Sequence, residues 1–101
     1  MIKHIVWWTL ADVADGHSAH ENAVRVKEAS ESLKAIAAAM SVEVSYDIEA
    51  TTTGPAQIVL QSCHENPAKL KEYADDPIHQ KFLSLIKAVT SSRQALDYRI
   101  D

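Results

Sequence analysis

Residues 2–10 carry apolar side chains on both faces of a predicted strand, and this feature constrains the fold more than any other. Because side chains alternate along a strand, one face holds Val6, Trp8 and Leu10, and the other holds Ile5 and Trp7. A strand that is apolar on both faces is typical of the middle of a sheet that is covered on both sides. We therefore expect residues 2–10 to form a central strand.

A long helix and an edge strand are predicted to follow. Ser18 and Glu21 have the spacing of a capping box, and the amphipathic pattern behind them predicts a helix that ends at about Ala39. Residues 42–49 alternate apolar with mostly charged side chains, as in a half-buried strand at a sheet edge. The residues expected to face inward in this strand are Val42, Val44, Tyr46 and Ile48.

The second half of the chain repeats the plan of the first. Residues 56–63 predict a strand that is again apolar on both faces, and a helix begins after the Asn66-Pro67 cap. Pro77 interrupts that helix, and a second helical segment is predicted from Pro77 to about Thr90. Residues 94–100 predict the last strand. The order strand–helix–strand–strand–helix–strand predicts an α+β, ferredoxin-like split βαβ fold with a four-stranded antiparallel sheet.

This arrangement leaves one face of the sheet without a cover. Two helical layers on one side cannot shield the outer face, where Ile5, Trp7 and Val59 would form an apolar patch. A second copy of the chain, packed sheet against sheet about a two-fold axis, would cover the patch. We therefore expect a homodimer through the sheet face. The alternative is that Trp7 lies half exposed at a sheet edge.

Composition narrows the classes of protein further. A length of 101 residues fits one domain over residues 1–101, and a net charge of −4 without a run of Lys or Arg argues against nucleic acid. The one cysteine, Cys63, cannot form an intramolecular disulfide, which favours a cytoplasmic setting. The N-terminal apolar run is broken by His4 and is too short to span a bilayer, so no membrane association is expected. Neither glycine belongs to a nucleotide-binding loop, and we expect no cofactor.

Three segments together resemble the stress-responsive dimeric A/B barrel (Dabb) family. They are Met1–Val6, Tyr73–Gln80 and Ser92–Tyr98. The first contains a Lys-His pair, the second a Pro-x-His before a helix, and the third an Asp-Tyr pair. The resemblance covers essentially the whole chain. It implies the same split βαβ fold and a barrel formed by two sheets across a dimer.

The family resemblance implies two different kinds of function. Some members look like stable, stress-accumulating oligomers with no known reaction, whereas a plant member is a polyketide cyclase that closes a ring by aldol chemistry without a cofactor. The catalytic histidine and tyrosine of that cyclase match His79 and Tyr73, and a further pocket histidine matches His4. Asp76 departs from the pattern, because the cyclase has a histidine before the proline. The first helix also offers Ala23, Val24 and Val26 where the cyclase has pocket-lining aromatic residues, and the two departures together imply a different substrate.

The residues themselves allow acid–base chemistry. His79 lies in the first turn of a helix, where the helix dipole disfavours imidazolium and favours a neutral general base. A chain reversal at Pro77 would bring Tyr73 close to His79, and His4 would converge on them from the first strand. The walls of such a pocket would include Val6, Trp8 and Phe82. In the structural alternative, His79 bonds only a backbone group, Tyr73 is a core residue and Trp8 fills the space.

Two other clusters are weaker. His17, His20 and Glu21 lie near a helix start and contain metal-ligating groups, but the capping box already explains Glu21, so no metal is expected. Cys63 and His64 are adjacent, but side chains of adjacent strand residues point to opposite faces. The sequence predicts a dimer that binds a small organic molecule between sheet and helices, with possible cofactor-independent acid–base chemistry. The alternative is a non-catalytic, stress-responsive dimer with a filled core.

Overall fold

The computed structural model describes residues 1–101 and contains one main sheet, a short two-stranded ribbon and a layer of helices. In chain order the elements are β1 (Ile2–Leu10), β2 (Val13–Ala14), β3 (His17–Ser18), α1 (Ala19–Ser30), a 3₁₀ helix (Glu31–Ala35), β4 (Ser41–Ser45), β5 (Ile58–His64), α2 (Pro67–Asp75), α3 (Pro77–Val89) and β6 (Thr90–Arg99).

The main sheet has four strands in the order β4-β5-β1-β6, and every neighbouring pair is antiparallel. The predicted α+β, ferredoxin-like fold is therefore confirmed. The doubly apolar strand β1 lies in the interior of the sheet, and β4 lies at an edge, as their hydrophobic patterns indicated.

The helices cover one face of this sheet. The helix-facing side chains of β1 and β5 are buried, and they pack against α1, α2 and α3. The buried apolar core consists of Val6, Trp8, Leu10, Ala23, Val26, Leu33, Ile36, Val42, Val44, Ile58, Leu60, Tyr73, Phe82, Ile86 and Val89. The opposite face of the sheet is uncovered in the single chain.

The predicted long helix is wrong in its second half. α1 ends at Ser30, where a 3₁₀ helix follows, and Ile36 is already in extended conformation. Two serine hydroxyls in this region donate to backbone carbonyls one turn back, Ser30 to Lys27 and Ser32 to Ala29. Such bonds compete with regular helix geometry. The change of helix type still buries Leu33 and Ile36, but it leaves Met40 exposed.

The edge strand β4 is also shorter than predicted. It ends at Ser45, so Tyr46 does not face the core; its ring is exposed and lies edge-on to His20, with ring centroids 5.9 Å apart. The last strand, β6, is longer than predicted. It begins at Thr90, directly after α3, rather than at residue 94.

The segment between β1 and α1, predicted as a plain polar turn, forms the ribbon of β2 and β3. Asp15 and Gly16 occupy its tip with φ angles of 54° and 75°. Two consecutive residues with positive φ are typical of a type I′ hairpin turn, and glycine at the second position adopts this conformation without steric cost.

No helix of this protein has the length and the apolar character needed to cross a membrane.

Candidate functional site

A cavity of about 200 Å³ lies between the sheet and the helices α2 and α3. Strand β1 forms its floor, β6 forms one side and the two helices form its roof. Most of its walls are apolar, but four kinds of polar side chain reach it. The lining residues are His4, Val6, Trp8, Leu60, Leu70, Tyr73, Ala74, His79, Phe82, Leu83, Arg93 and Asp97.

Tyr73 is the most deeply buried polar residue of the cavity, with an exposed fraction of 1%. It lies on α2, which begins at the Asn66 cap, and its ring is held between two imidazoles. The ring centroids are 4.8 Å from His64 and 4.6 Å from His79. Its hydroxyl has no hydrogen-bond partner in the chain.

The environment of Tyr73 keeps its hydroxyl protonated. Burial raises the pKa of Tyr73 to about 12, and the neighbouring Ser62 hydroxyl opposes only part of this rise. Ser62 is not within hydrogen-bonding geometry of the tyrosine, and its own hydroxyl is bonded to His64 at 2.8 Å. Tyr73 is therefore a permanent donor at neutral pH whose proton is not used by the protein.

His79 owes its position to the helix break. Asp76 ends α2 and caps α3 by accepting from the backbone N–H of Ile78, and this reversal turns His79 back toward α2. The Nδ1 atom of His79 lies 3.1 Å from the carbonyl oxygen of Ala74. A carbonyl only accepts, so Nδ1 carries the proton and the lone pair of the neutral ring is on Nε2. Nε2 makes no hydrogen bond within the chain.

The charge state of His79 follows from its surroundings. Burial lowers the pKa of His79, and the neighbouring His4 and Arg93 act in the same direction. The hydrogen bond to Ala74 and the carboxylate of Asp76 oppose this shift. His79 is thus neutral at neutral pH, and burial rather than the helix dipole is the main reason.

His4 is held by a carboxylate on the neighbouring strand. Its Nδ1 atom is hydrogen-bonded to Oδ1 of Asp97, which lies directly opposite His4 in the β1–β6 register. The ring is largely buried, whereas the Asp97 side chain is half exposed. Because Asp97 accepts the Nδ1 proton, the Nε2 atom of His4 has the free lone pair in the neutral ring.

His64 does not line the cavity but packs against Tyr73, and this contact was not predicted from the sequence. It is fully buried, donates from Nδ1 to the carbonyl of Ala38 at 2.9 Å and accepts from Ser62 at Nε2. Burial lowers the pKa of His64, so it is neutral. The alternation of side chains along the strand could have predicted this position, because His64, Ser62 and Leu60 share one face of β5. Asp97 and Arg93 were also missed, because finding them requires the β1–β6 register.

All six residues predicted to form a pocket line this one cavity: His4, Val6, Trp8, Tyr73, His79 and Phe82. Trp8 is buried in its wall without filling it. Their roles in binding or catalysis remain predictions.

The weaker clusters lie elsewhere in the molecule. His17 faces Glu21 across 3.6 Å near the start of α1, and His20 packs on Tyr46. Nowhere in the protein do three or more His, Cys, Asp or Glu side chains lie close enough together to hold a metal ion. Cys63 is on the uncovered sheet face, with Sγ 2.9 Å from Sδ of Met1.

Residues 2–100 match the family described as "Stress responsive A/B Barrel Domain". The chain belongs to this Dabb family. The resemblance carried by the Lys-His, Pro-x-His and Asp-Tyr segments is thereby confirmed. No curated protein is significantly similar to the sequence.

Solved structures with a ferredoxin-like fold are similar to this chain. A dimeric protein of unknown function from Bacteroides fragilis is 29% identical, with a TM-score of 0.82 over 98% of this chain and 95% of its own. A dimeric ferredoxin-like protein from Thermobifida fusca is 18% identical, with a TM-score of 0.81 over 98% of this chain and 90% of its own. A Dabb family protein from Mesorhizobium loti is 20% identical, with a TM-score of 0.74 over 98% and 95% of the two chains.

Proposed function

We propose that this Dabb protein binds a small organic molecule in the cavity between sheet and helices, and that His79 acts there as a general base without a cofactor. One observation carries the proposal. The free Nε2 of His79 and the unpartnered hydroxyl of Tyr73 belong to rings 4.6 Å apart, and both residues line the same largely apolar cavity. A buried hydroxyl without a partner costs stability unless a ligand uses it.

The two groups have complementary tasks. His79 is neutral and has its lone pair on Nε2, so it can remove a proton from carbon next to a carbonyl group. The electrons move to the carbonyl oxygen, which becomes an enolate and accepts the hydrogen bond of Tyr73. The enolate carbon then attacks a second carbonyl carbon of the same molecule, and the proton held by His79 is returned to the oxygen formed. His4, oriented by Asp97, is a second proton acceptor or donor in the cavity.

A thermal-shift screen with a metabolite library tests the binding. We expect a few carbonyl compounds to stabilise the wild type and to lose this effect in His79→Ala. His20→Ala, a change at a histidine outside the cavity, is the matched control and should keep it. Compounds that stabilise the wild type are then tested for turnover, which His79→Ala should abolish.

Two results would contradict the proposal. Turnover that is unchanged in His79→Ala would exclude the base role. A library in which no compound stabilises the wild type would favour the non-catalytic, stress-responsive dimer instead.

We also propose that the protein is a homodimer through the uncovered face of the sheet. Support comes from an apolar patch formed by Ile5, Trp7, Val59, Leu96 and Tyr98, in which Ile5 lies opposite Leu96 and Trp7 opposite Val59. Leu96 and Tyr98 are 52% and 39% exposed in the single chain, which is unusual for large apolar side chains in one patch. The relatives from B. fragilis and T. fusca are dimeric.

Sedimentation velocity tests the dimer. We expect a dimer for the wild type and dissociation of Leu96→Glu at micromolar concentration, because a buried unpaired charge at the interface is strongly unfavourable. Val13→Glu is the control, because Val13 is also apolar and exposed but lies on the β2–β3 ribbon. A wild type that sediments as a monomer would refute this interface.

A further inference from the structure

Arg93 is the charged side chain of the cavity that has no partner. It lies on the helix-facing side of β6, opposite Trp8, and lines the cavity from its exposed side. It makes no ion pair, and its guanidinium forms no hydrogen bond within the chain. Asp97 is the only acidic residue of the lining, and its carboxylate is bonded to His4. The positive charge of Arg93 is therefore available to a ligand.

Tyr73 supplies the second, independent observation. Tyr73 lines the same cavity, and its buried hydroxyl lacks a partner. Apolar side chains that include Val6, Trp8 and Phe82 line the cavity together with this buried donor and the exposed Arg93. Such a cavity matches a molecule with a negative group at one end, an apolar body, and an oxygen acceptor toward the inside.

The volume limits the size of that molecule. Cavities that hold drug-sized ligands measure roughly 300–1,000 Å³, whereas this one measures about 200 Å³. An apolar cavity of about 150 Å³ is large enough for benzene. One ring with small substituents, or an aliphatic chain of similar volume, is therefore the upper limit.

We propose that the ligand is a small keto acid with a single ring or a short apolar body, in which a second carbonyl group is the electrophile of the proposed ring closure. Its carboxylate binds the Arg93 guanidinium, whose planar fork matches the two oxygens, and its ketone oxygen accepts from Tyr73. This assignment of a substrate class rests on the proposed function of the cavity. The carboxylate lies on the Arg93 side, because the Asp97 carboxylate, which also lines the cavity, would repel it elsewhere.

A matched pair of probes tests the charge. Phenylglyoxylate carries a ring, a ketone and a carboxylate, and its primary amide has nearly the same shape without the charge. Isothermal titration of each probe into the wild type should give a Kd for the acid about tenfold lower than for the amide, the lower end of what a charge-assisted hydrogen bond supplies. Arg93→Gln should bring the two Kd values together.

The chain offers a control for the arginine. Arg99 is on the same strand and the same face as Arg93, but it does not line the cavity. Arg99→Gln should keep the preference for the acid. Tyr73→Phe should raise the Kd of both probes by the same factor, because both present the ketone oxygen that accepts from Tyr73.

The outcomes separate the keto acid from the binding function itself. Two outcomes would overturn the role of Arg93 but leave a binding cavity. In the first, the wild type binds acid and amide with equal affinity. In the second, the preference for the acid is lost in Arg99→Gln but not in Arg93→Gln. Failure of both probes to bind at millimolar concentration would overturn the keto-acid assignment. If the metabolite library also contains no compound that stabilises the wild type, the proposed binding function is refuted as well.

Discussion

Replacing Tyr73 with Phe should make the protein more stable while it impairs ligand binding. The ring contacts with His64 and His79 are kept in this variant, and only the buried hydroxyl is removed. A buried polar group without a partner costs roughly 1–3 kcal/mol. We expect the free energy of unfolding to rise by about 1 kcal/mol, at the lower end of that range, because the hydroxyl borders a cavity. For a domain of this size, that gain raises Tm by roughly 4–8 °C.

Urea denaturation followed by far-UV circular dichroism measures this change. Wild type and variant are compared at the same protomer concentration, because the stability of a dimer depends on it. Tyr46→Phe is the control, since that hydroxyl is exposed and its removal should change stability little. If Tyr73→Phe lowers the unfolding free energy by about 1 kcal/mol or more, the hydroxyl has a partner in the folded protein. Tyr73 would then not be a free hydrogen-bond donor for a ligand.

Spectrophotometric titration should show a tyrosinate step near pH 12 that is absent in Tyr73→Phe, and the unfolding free energy should fall as pH rises from about 10 to 12, because Tyr73 ionises first in the unfolded chain. Burial lowers the pKa values of His64 and His79, so stability should be full above about pH 6.5 and should fall as acid protonates the unfolded chain first; His64→Asn should flatten this dependence in urea titrations from pH 7 to 4. Ser18→Ala should reduce the unfolding free energy by about 1 kcal/mol through loss of the capping box, whereas Ser32→Ala, at an exposed serine, should not.

The sequence predicted the fold because its strands are patterned with period two and because breaks in the pattern coincide with real turns. β1 is apolar on both faces and is central, and Pro77 separates α2 from α3 as expected. The errors occur where local polar side chains compete with the backbone. Ser30 and Ser32 bond carbonyls one turn back, which the hydrophobic spacing of the predicted long helix does not reveal.

The candidate site was predictable only in part. His79 and Tyr73 are close in sequence, so a single chain reversal at Asp76 brings their rings together. Asp97 and Arg93 are about ninety residues from His4 and Trp8, and their positions depend on the exact pairing of β1 with β6. A shift of one residue in that register would move both side chains to the other face. Sequence alone does not specify this register.

The direct passage of α3 into β6 at Thr90 determines how the walls of the cavity are held together. Thr90 is the last cap of the helix and the first residue of the strand, and its hydroxyl donates back to Ile86. His79, Phe82, Arg93 and Asp97 therefore belong to one continuous helix–strand segment that pairs with β1. Tyr73 stands on the other side of the Asp76 break, but its helix is tied to that segment, because His79 Nδ1 and Gln80 Nε2 both donate to the carbonyl oxygen of Ala74. An outward movement of α2 would therefore break the contact that fixes the His79 tautomer.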